Sequence, residues 1–185
     1  MSEDKKQLRR TFKERGRALT ADYRQTADRA IFAAVHGTEQ WKNAQGVFLF
    51  VSMWAEPNTG ALFAAAFAEG KRVYVPLCCP DGTMRAVRIR SLDELRPGSY
   101  GIPEPPADGE TAKPGDLDLA LVPCVTATRD GARLGHGAGY YDRFLRAHTC
   151  ETICLCYARM LADTLPMDEN DVRMDAVVTE EGIIK

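Results

Sequence analysis

Short, continuous apolar runs are the feature that most constrains how this chain can fold. Residues 46–52 read Gly-Val-Phe-Leu-Phe-Val-Ser, without a charged side chain. A run of this kind is typical of a parallel strand that is buried on both faces of a sheet. Comparable runs predict further strands at 71–77, 118–123, 152–157 and 175–179.

Segments with helical periodicity alternate with these runs. Helices are predicted at 4–18, 21–36, 60–69 and 139–148. Thr20 is suited to cap the second helix, and Gly37 is suited to end it. Because alternating strands and helices are typical of α/β proteins, we expect an α/β fold. The prediction is a single three-layer domain with a central mixed, mostly parallel sheet flanked by helices.

The middle of the chain departs from this alternation. Residues 83–90 alternate between apolar and charged side chains, which predicts an antiparallel or edge strand with one face in water. The following segment, 97–114, is rich in proline and glycine. It is predicted to be a long surface excursion, either a lid or a simple connection.

Length and charge exclude several classes of partner. The chain has 185 residues, enough for one domain with a sizeable core, and a formal net charge of −2. That charge gives no overall electrostatic case for binding nucleic acid or an anionic membrane. No apolar run approaches the roughly 20 residues of a membrane span, and the charged first residues are unlike a secretory signal. We therefore expect a cytoplasmic protein.

The six cysteines do not form an obvious metal pattern. In the cytoplasm they are expected to be reduced. Cys150, Cys154 and Cys156 lack the paired spacing of a zinc site. Because Cys154 and Cys156 alternate within an apolar run, we expect them to be small buried side chains.

The stretch 133–143 is the strongest chemical signal in the chain. Gly135, Gly137 and Gly139 stand at alternate positions before a predicted helix. Glycines allow positive φ and close approach to a ligand, and successive N–H groups at a helix N-terminus bind anions. The stretch has no Gly-Lys-Ser/Thr ending, so it is not a P-loop. The spacing is also a poor match to the dinucleotide-binding fingerprint.

The residues that flank the glycines make a phosphate site the favoured interpretation over a glycine-rich turn without ligand. Arg133 offers a planar guanidinium for bidentate contact with phosphate. Tyr140 and Tyr141 are able to stack on a ring or donate hydrogen bonds. Asp142 is a suitable oxygen ligand for Mg²⁺.

Two other segments carry open alternatives. The first helix is strongly basic, and such a charge run is usually a solvated face, although two of its cations could reach phosphates. Glu56 lies in the loop after the first buried strand, at the edge where α/β proteins bind ligands. It is either a ligand carboxylate or an ordinary exposed loop acid.

Several ordered motifs give the chain a resemblance to the 5-formyltetrahydrofolate cyclo-ligase family. Residues 131–142 match every fixed position of the pattern Gly-x-Arg-Leu-Gly-x-Gly-x-Gly-Tyr-Tyr-Asp. Residues 5–9 resemble the family's N-terminal Lys-x-x-Leu-Arg, and the segment Phe50 to Glu56, which includes Trp54, resembles its substrate loop. Further similarity lies in Val75-Pro76, Gly101 to Pro105 and Met174 to Glu180.

The resemblance implies specific roles for these motifs. Lys5 and Arg133 would supply positive charge to the reacting phosphoryl group. ATP would be bound by residues of the first helix and of the glycine stretch: Lys5, Lys6, Gln7, Leu8, Arg9, Arg133, Leu134, Gly135, His136, Gly137, Ala138, Gly139, Tyr140 and Tyr141. The folate substrate would contact Arg9, Val51, Glu56, His136, Gly137, Ala138, Gly139 and Tyr140.

The resemblance also implies a magnesium site that contains Asp142. Asp175 is the predicted second carboxylate, because it directly precedes the last apolar strand. Asp168 and Asp171 are rivals for the same role and rank lower.

The activity implied by the resemblance is ATP- and Mg²⁺-dependent cyclisation of 5-formyltetrahydrofolate to 5,10-methenyltetrahydrofolate. The partner would be a reduced formylfolate, and we expect a monomer. An alternative from a different class is a non-catalytic carrier or regulator that binds folate or nucleotide through the same loop. Departures from the family pattern at Thr128, His136 and Pro57 keep that alternative open.

Overall fold

A seven-stranded sheet forms the centre of the computed structural model, which describes residues 3–53, 55–98 and 101–184. Its strands are β1 (Gly46–Phe48), β2 (Arg72–Cys78), β3 (Met84–Ile89), β6 (Leu119–Val122), β9 (Glu151–Leu155), β10 (Ala176–Thr179) and β11 (Gly182–Ile184). Their spatial order is β11-β10-β9-β6-β1-β2-β3. Two small hairpins pair β4 (Arg96–Pro97) with β5 (Pro103–Glu104), and β7 (Thr126–Ala127) with β8 (Arg133–Leu134).

The sheet is mixed and mostly parallel, as predicted. Strand β1 pairs in parallel with β2 and β6, and the parallel pairing continues through β9 to β10. Strands β3 and β11 are antiparallel and lie at the two edges. Every side chain of β1, β6 and β10 is buried, which explains why their sequences are continuous apolar runs rather than alternating ones.

Helices flank the sheet, which confirms the predicted α/β class. They are α1 (Glu3–Arg17), α2 (Ala21–His36), α3 (Glu39–Asn43), α4 (Gly60–Ala68) and α5 (Tyr140–Ala147). The Thr20 hydroxyl accepts from Tyr23 N at 3.2 Å and caps α2 as predicted. Helix α3 was not predicted, because it has only five residues, although Thr38 caps it in the same way. Among the described residues, each helix is too short or too polar to cross a lipid bilayer.

Large aromatic side chains join the helices to the sheet. Phe48 of β1 stacks on Phe144 of α5 with ring centroids 4.6 Å apart. Trp41 of α3 is 1% exposed. Cys154 and Cys156 are buried within the same core, in agreement with the interpretation of their apolar run. One cluster of buried residues runs through the described chain, and it fixes the carboxyl ends of the parallel strands at one edge.

The proline-rich segment 97–114 is tied to the sheet edge rather than projecting from it. Arg88 N donates to Glu110 O, and Ala112 N donates to Ala86 O, each at 2.8 Å. Within the segment, the β4–β5 hairpin returns the chain toward the end of β2. Ser99 and Tyr100 lie outside the described residues.

Gly46 begins β1 at a place without room for a side chain. A Cβ there would lie 1.8 Å from the Asp116 carbonyl oxygen. We expect Gly46→Ala to lower the free energy of unfolding by about 1–3 kcal/mol, because backbone must move to admit the methyl group. Denaturant unfolding followed by circular dichroism measures the change.

Gly16→Ala is the matched control for this prediction. Its Cβ would meet only the flexible Met160 methyl group at 3.3 Å, and alanine favours a helix over glycine by about 1 kcal/mol. We expect this variant to be at least as stable as the parent chain. Equal destabilisation of the two variants would contradict the packing explanation.

Candidate functional site

A cavity of about 770 Å³ lies at the carboxyl ends of the parallel strands. This is the edge at which open α/β sheets bind ligands. Its walls include regions that are distant in sequence: α1, the loop after β1, the adjoining ends of β2 and β3, the segment with Ile102 and Glu104, the glycine stretch with α5, and the loop 168–171. The sheet topology therefore assembles one site from the motifs that the sequence analysis singled out.

The glycine stretch lies close against two arginine side chains. Gly137 has a φ of 108°, and a Cβ there would lie 3.2 Å from the Arg9 guanidinium carbon. Gly139 has a φ of 71° and stands immediately before α5. A Cβ at that residue would lie 2.7 Å from Arg143 Nη1. Both positions thus favour glycine for conformation, and a side chain at either would displace the neighbouring arginine.

Arg133 and Asp142 form an ion pair across the base of the glycine stretch. Arg133 Nη2 donates to Asp142 Oδ1 at 2.8 Å, and the Arg133 side chain is only 2% exposed. Arg133 Nε is buried and has no hydrogen-bond partner among the described residues. A buried donor without a partner is costly unless a ligand or water satisfies it. Arg133 also lines the cavity, so it borders the space that a ligand would enter.

Tyr141 extends the polar surface around this pair. Its ring centroid lies 5.8 Å from the Arg133 guanidinium carbon, within cation–π range. Burial raises the pKa of the Tyr141 phenol, with Glu56 adding to the effect. The hydroxyl consequently stays protonated and remains a hydrogen-bond donor at neutral pH.

Asp142 connects the glycine stretch to the acidic loop 168–171. It lies in the first turn of α5, where a negative side chain is favoured by the helix dipole. Its Oδ1 also accepts from Val172 N at 3.3 Å. Asp171, the residue before Val172, lines the same cavity. Two carboxylates therefore border the cavity close to the glycine stretch.

Helix α1 brings three of its cations, Lys5, Arg9 and Lys13, to the cavity. Lys5 is 6% exposed and forms ion pairs with Asp168, at 2.7 Å, and with Asp171. Burial opposes the charge on Lys5, but hydrogen bonds to the two aspartates outweigh it and raise the pKa of the ammonium. Arg9 Nε donates to Gly135 O at 2.8 Å. The basic face of this helix is thus not simply solvated.

Glu56 also lines the cavity, where it is buried and tightly held. Its side chain is 5% exposed, and its Oε2 accepts from Met53 N at 2.8 Å. His136 Nε2 lies 3.1 Å from the other carboxylate oxygen. Tyr157, whose hydroxyl lies 3.2 Å from the Glu56 carbonyl oxygen, fixes the backbone behind it. The arrangement differs from that of an ordinary exposed loop acid.

The remaining predicted site residues do not all reach the cavity. Val51, Leu134, Ala138 and Tyr140 line the cavity, whereas Lys6 borders a smaller basic depression beside it. Gln7 is exposed on α1, and Leu8 packs against the core. Trp54, part of the predicted substrate loop, lies outside the described residues.

Asp175 requires a correction, because the structure does not bring it to Asp142. It directly precedes β10 and lies at the amino ends of the parallel strands, the opposite edge of the sheet from the cavity. Its Oδ2 accepts from Thr152 N at 2.8 Å and from the Thr152 hydroxyl at 2.7 Å. Asp168 and Asp171, the lower-ranked rivals, border the cavity instead.

Several residues that line the cavity were not predicted from sequence. They are Lys13, Met84, Ile102, Glu104, Arg143, Arg146 and Asn170, among others. Arg143 Nη2 donates to Gly82 O at 2.6 Å and to Ala138 O at 2.8 Å, which ties the β2–β3 turn to the glycine stretch. The sequence signal for a role of Arg143 is its position directly after the glycine motif.

The cavity has two chemically distinct regions. One region carries cations together with the acidic loop, and it suits a phosphorylated ligand bound with a metal ion. The other part of the lining is apolar and includes Phe50, Val51, Pro76 and Met84, and the buried carboxylate of Glu56 borders the same cavity. Such a region suits an aromatic ring system with N–H donors. The two regions are continuous, so two ligands would meet inside the cavity.

Comparison with known proteins agrees with this geometry. The family model of the 5-formyltetrahydrofolate cyclo-ligase family matches residues 1–180. The mouse 5-formyltetrahydrofolate cyclo-ligase is 30% identical over 192 residues, covering 96% of this chain and 94% of the mouse protein. The Mycolicibacterium smegmatis enzyme of the same name is 31% identical over 189 residues, covering 97% and 96%.

A solved structure extends the similarity to three dimensions. The NMR structure of 5,10-methenyltetrahydrofolate synthetase from Aquifex aeolicus superimposes with a TM-score of 0.85 at 27% sequence identity. The match covers 97% of this chain and 91% of that protein. The family model matches nearly the whole length of this chain, and the cavity is built from the family's motifs. The chain therefore belongs to the 5-formyltetrahydrofolate cyclo-ligase family.

Proposed function

We propose that this chain catalyses the ATP-dependent cyclisation of 5-formyltetrahydrofolate to 5,10-methenyltetrahydrofolate. The observation that carries the proposal is the continuity of a cationic region and an apolar region within one cavity, in a chain of this family. A reaction between ATP and a folate requires both ligands to meet. Such an arrangement is unnecessary in a carrier that binds only one of them.

The chemistry proposed for the cavity is activation of a formyl oxygen by phosphorylation. The formyl oxygen attacks the γ-phosphorus of ATP, a phosphorus–oxygen bond breaks, and ADP leaves. Nitrogen N10 of the folate then attacks the activated formyl carbon. The carbon–oxygen bond breaks, phosphate leaves with the former formyl oxygen, and N10 loses its proton. Phosphoryl transfer of this kind depends on positioning and charge neutralisation more than on a protein nucleophile.

Arg133, Lys5 and Arg9 are the residues proposed to neutralise charge on the phosphates. Arg133 lines the cavity and pairs with Asp142, and the glycine stretch presents its backbone at the N-terminus of α5. Lys5 is held by Asp168 and Asp171 in this structure. A phosphate group arriving beside Lys5 would compete with those carboxylates for its ammonium group.

Asp142 and Asp171 are the proposed ligands of Mg²⁺, in place of the earlier pairing of Asp142 with Asp175. Both carboxylates border the cavity, and the Val172 N–H bond to Asp142 holds them near each other. Carboxylate oxygens are the ligands that Mg²⁺ takes from proteins, with phosphate oxygens completing its shell. When bound, the ion would offset negative charge on the phosphates during transfer.

Glu56 is proposed to orient the pterin ring of the folate. Its buried carboxylate is fixed by Met53 N and His136, so its direction is set before substrate arrives. Val51 lies beside it on the cavity wall and offers an apolar contact to the ring. Pre-set acceptors reduce the entropy lost when a ligand binds.

Turnover of the purified protein is the first prediction of this proposal. Mixed with 5-formyltetrahydrofolate and Mg·ATP, the protein should form methenyltetrahydrofolate, detected by its near-ultraviolet absorbance, with one ADP released per product. Omitting ATP should abolish product formation. Binding of both ligands without product in the complete mixture would favour the carrier and contradict catalysis.

Magnesium dependence tests the proposed metal ligands. Asp142→Asn and Asp171→Asn should each raise the Mg²⁺ concentration needed for half-maximal activity, by roughly 10-fold or more, because a charged ligand is lost. Asp175→Asn is the matched control, since its carboxylate binds Thr152 outside the cavity, and its Mg²⁺ dependence should not change. If Asp175→Asn alone raised the Mg²⁺ concentration needed for half-maximal activity, Asp175 rather than Asp142 and Asp171 would be assigned to the metal.

Arg133 is expected to resist even a conservative replacement. Arg133→Lys keeps the charge but loses the planar guanidinium that contacts Asp142 and the proposed phosphate. We expect kcat/KM for ATP to fall by roughly 10- to 100-fold. Arg129→Lys, on the exposed pair with Glu181, should leave kcat/KM unchanged. Equal kinetics of the two variants would remove Arg133 from the phosphate site.

A further inference from the structure

Glu104 is a carboxylate in the cavity to which the proposed reaction gives no role. It belongs to the motif Gly101 to Pro105, and it lines the cavity together with Ile102. The β4–β5 hairpin carries it to the end of β2, on the wall formed by the long middle connection. This segment lies more than forty residues from Glu56 in sequence.

The local backbone is built to hold the Glu104 side chain in one place. Pro103 and Pro105 flank it and restrict the main chain on both sides. Gly98 lies directly beneath it: a Cβ on Gly98 would be 2.5 Å from Glu104 Cγ and 2.6 Å from its Oε2. The glutamate therefore fills the space that a side chain at residue 98 would occupy.

The charge of Glu104 is not neutralised by an ion pair within the described chain. Its polar neighbour is the Cys78 thiol. Burial and the nearby carboxylate raise the pKa of Cys78 to about 11, so the thiol stays protonated beside Glu104. A carboxylate has capacity for several hydrogen bonds.

The surroundings of Glu104 indicate what chemical group it would receive. Pro76, Met84 and Ile102 give this part of the cavity apolar walls suited to a ring. A carboxylate accepts hydrogen bonds from N–H groups and repels other carboxylates. Among the parts of a folate, the pterin ring carries N–H donors, whereas the glutamate tail carries carboxylates. The charge on this wall therefore favours the ring end of the substrate over the tail.

We propose that Glu104 accepts hydrogen bonds from N–H groups of the substrate's pterin ring and so fixes which end of the folate enters the apolar region. This inference rests on the proposed function and adds a specificity-determining residue to it. Glu104 and Glu56 would then bind the ring from two separately built walls. The positions of these two carboxylates would then set the orientation in which the substrate binds.

Steady-state kinetics of Glu104 variants test the inference. We expect Glu104→Ala to raise KM for 5-formyltetrahydrofolate by roughly 10- to 100-fold, the loss typical of a hydrogen bond to a charged group. The KM for ATP and kcat should change less than threefold. Glu104→Gln, which keeps the volume over Gly98, should raise the folate KM by a smaller factor because it retains one acceptor oxygen.

Glu110→Gln is the matched control on the same connection. Its side chain pairs with Arg88 outside the cavity, so the folate KM should equal that of the parent chain. Thermal unfolding of each variant verifies folding, and the Gln variant carries the test if the Ala variant is unfolded. If both Glu104→Gln and Glu104→Ala are folded and their KM for the folate equals that of the parent chain, the inference is overturned.

A truncated substrate separates ring contact from tail contact. With 5-formyltetrahydropteroate, which lacks the glutamate, Glu104→Ala should raise KM by the same factor as with the full substrate. Loss of the effect with the truncated substrate would assign Glu104 to the tail and contradict the inference. A fall in kcat at constant KM would also contradict it, because it would indicate proton transfer from N10.

Failure of the proposed function would look different from failure of this inference. If the parent chain forms no methenyltetrahydrofolate, the proposed function is wrong, and the inference falls with it. If the parent chain is active and the Glu104 variants match it, only the inference is wrong.

Discussion

The ion pair between Arg133 and Asp142 holds the candidate site together. Arg133 stands before the three glycines of the stretch and Asp142 stands after them, so their 2.8 Å contact closes the loop at its base. Asp142 also accepts from Val172 N, which attaches the acidic loop to the same point. Breaking a buried ion pair leaves an uncompensated charge and costs about 3–5 kcal/mol. The pair is thus structural as well as functional, and the positions of both phosphate-binding and metal-binding groups depend on it.

Sequence patterns predicted the parts of the fold that are set by burial. The runs that became β1, β6 and β9 are apolar because both faces of those strands are covered. Short elements were missed, since α3 and β11 have only five and three residues and depend on tertiary packing. The run 46–52 was predicted as one strand, but β1 ends at Phe48, and the chain then turns into the loop that carries Glu56.

The candidate site was predictable where chemistry and sequence position coincide. Arg133, Asp142 and the glycines lie within one continuous stretch, and their residue types alone indicate an anion site. Asp175 was favoured because it precedes an apolar strand, yet that position puts it at the amino edge of the sheet. Asp171 instead reaches the cavity through a loop with no regular pattern. Glu104 depends on a hairpin and on the absence of a side chain at Gly98, which no local spacing indicates.

The proposed reaction couples phosphoryl transfer to ring closure within one cavity. A decisive test uses 5-formyltetrahydrofolate that carries a heavy oxygen isotope in its formyl group. Mass spectrometry of the products of a single turnover with Mg·ATP then locates the label. We expect the label in the released inorganic phosphate, because in the proposed mechanism the formyl oxygen leaves attached to phosphorus. Label found in water, with unlabelled phosphate, would contradict it.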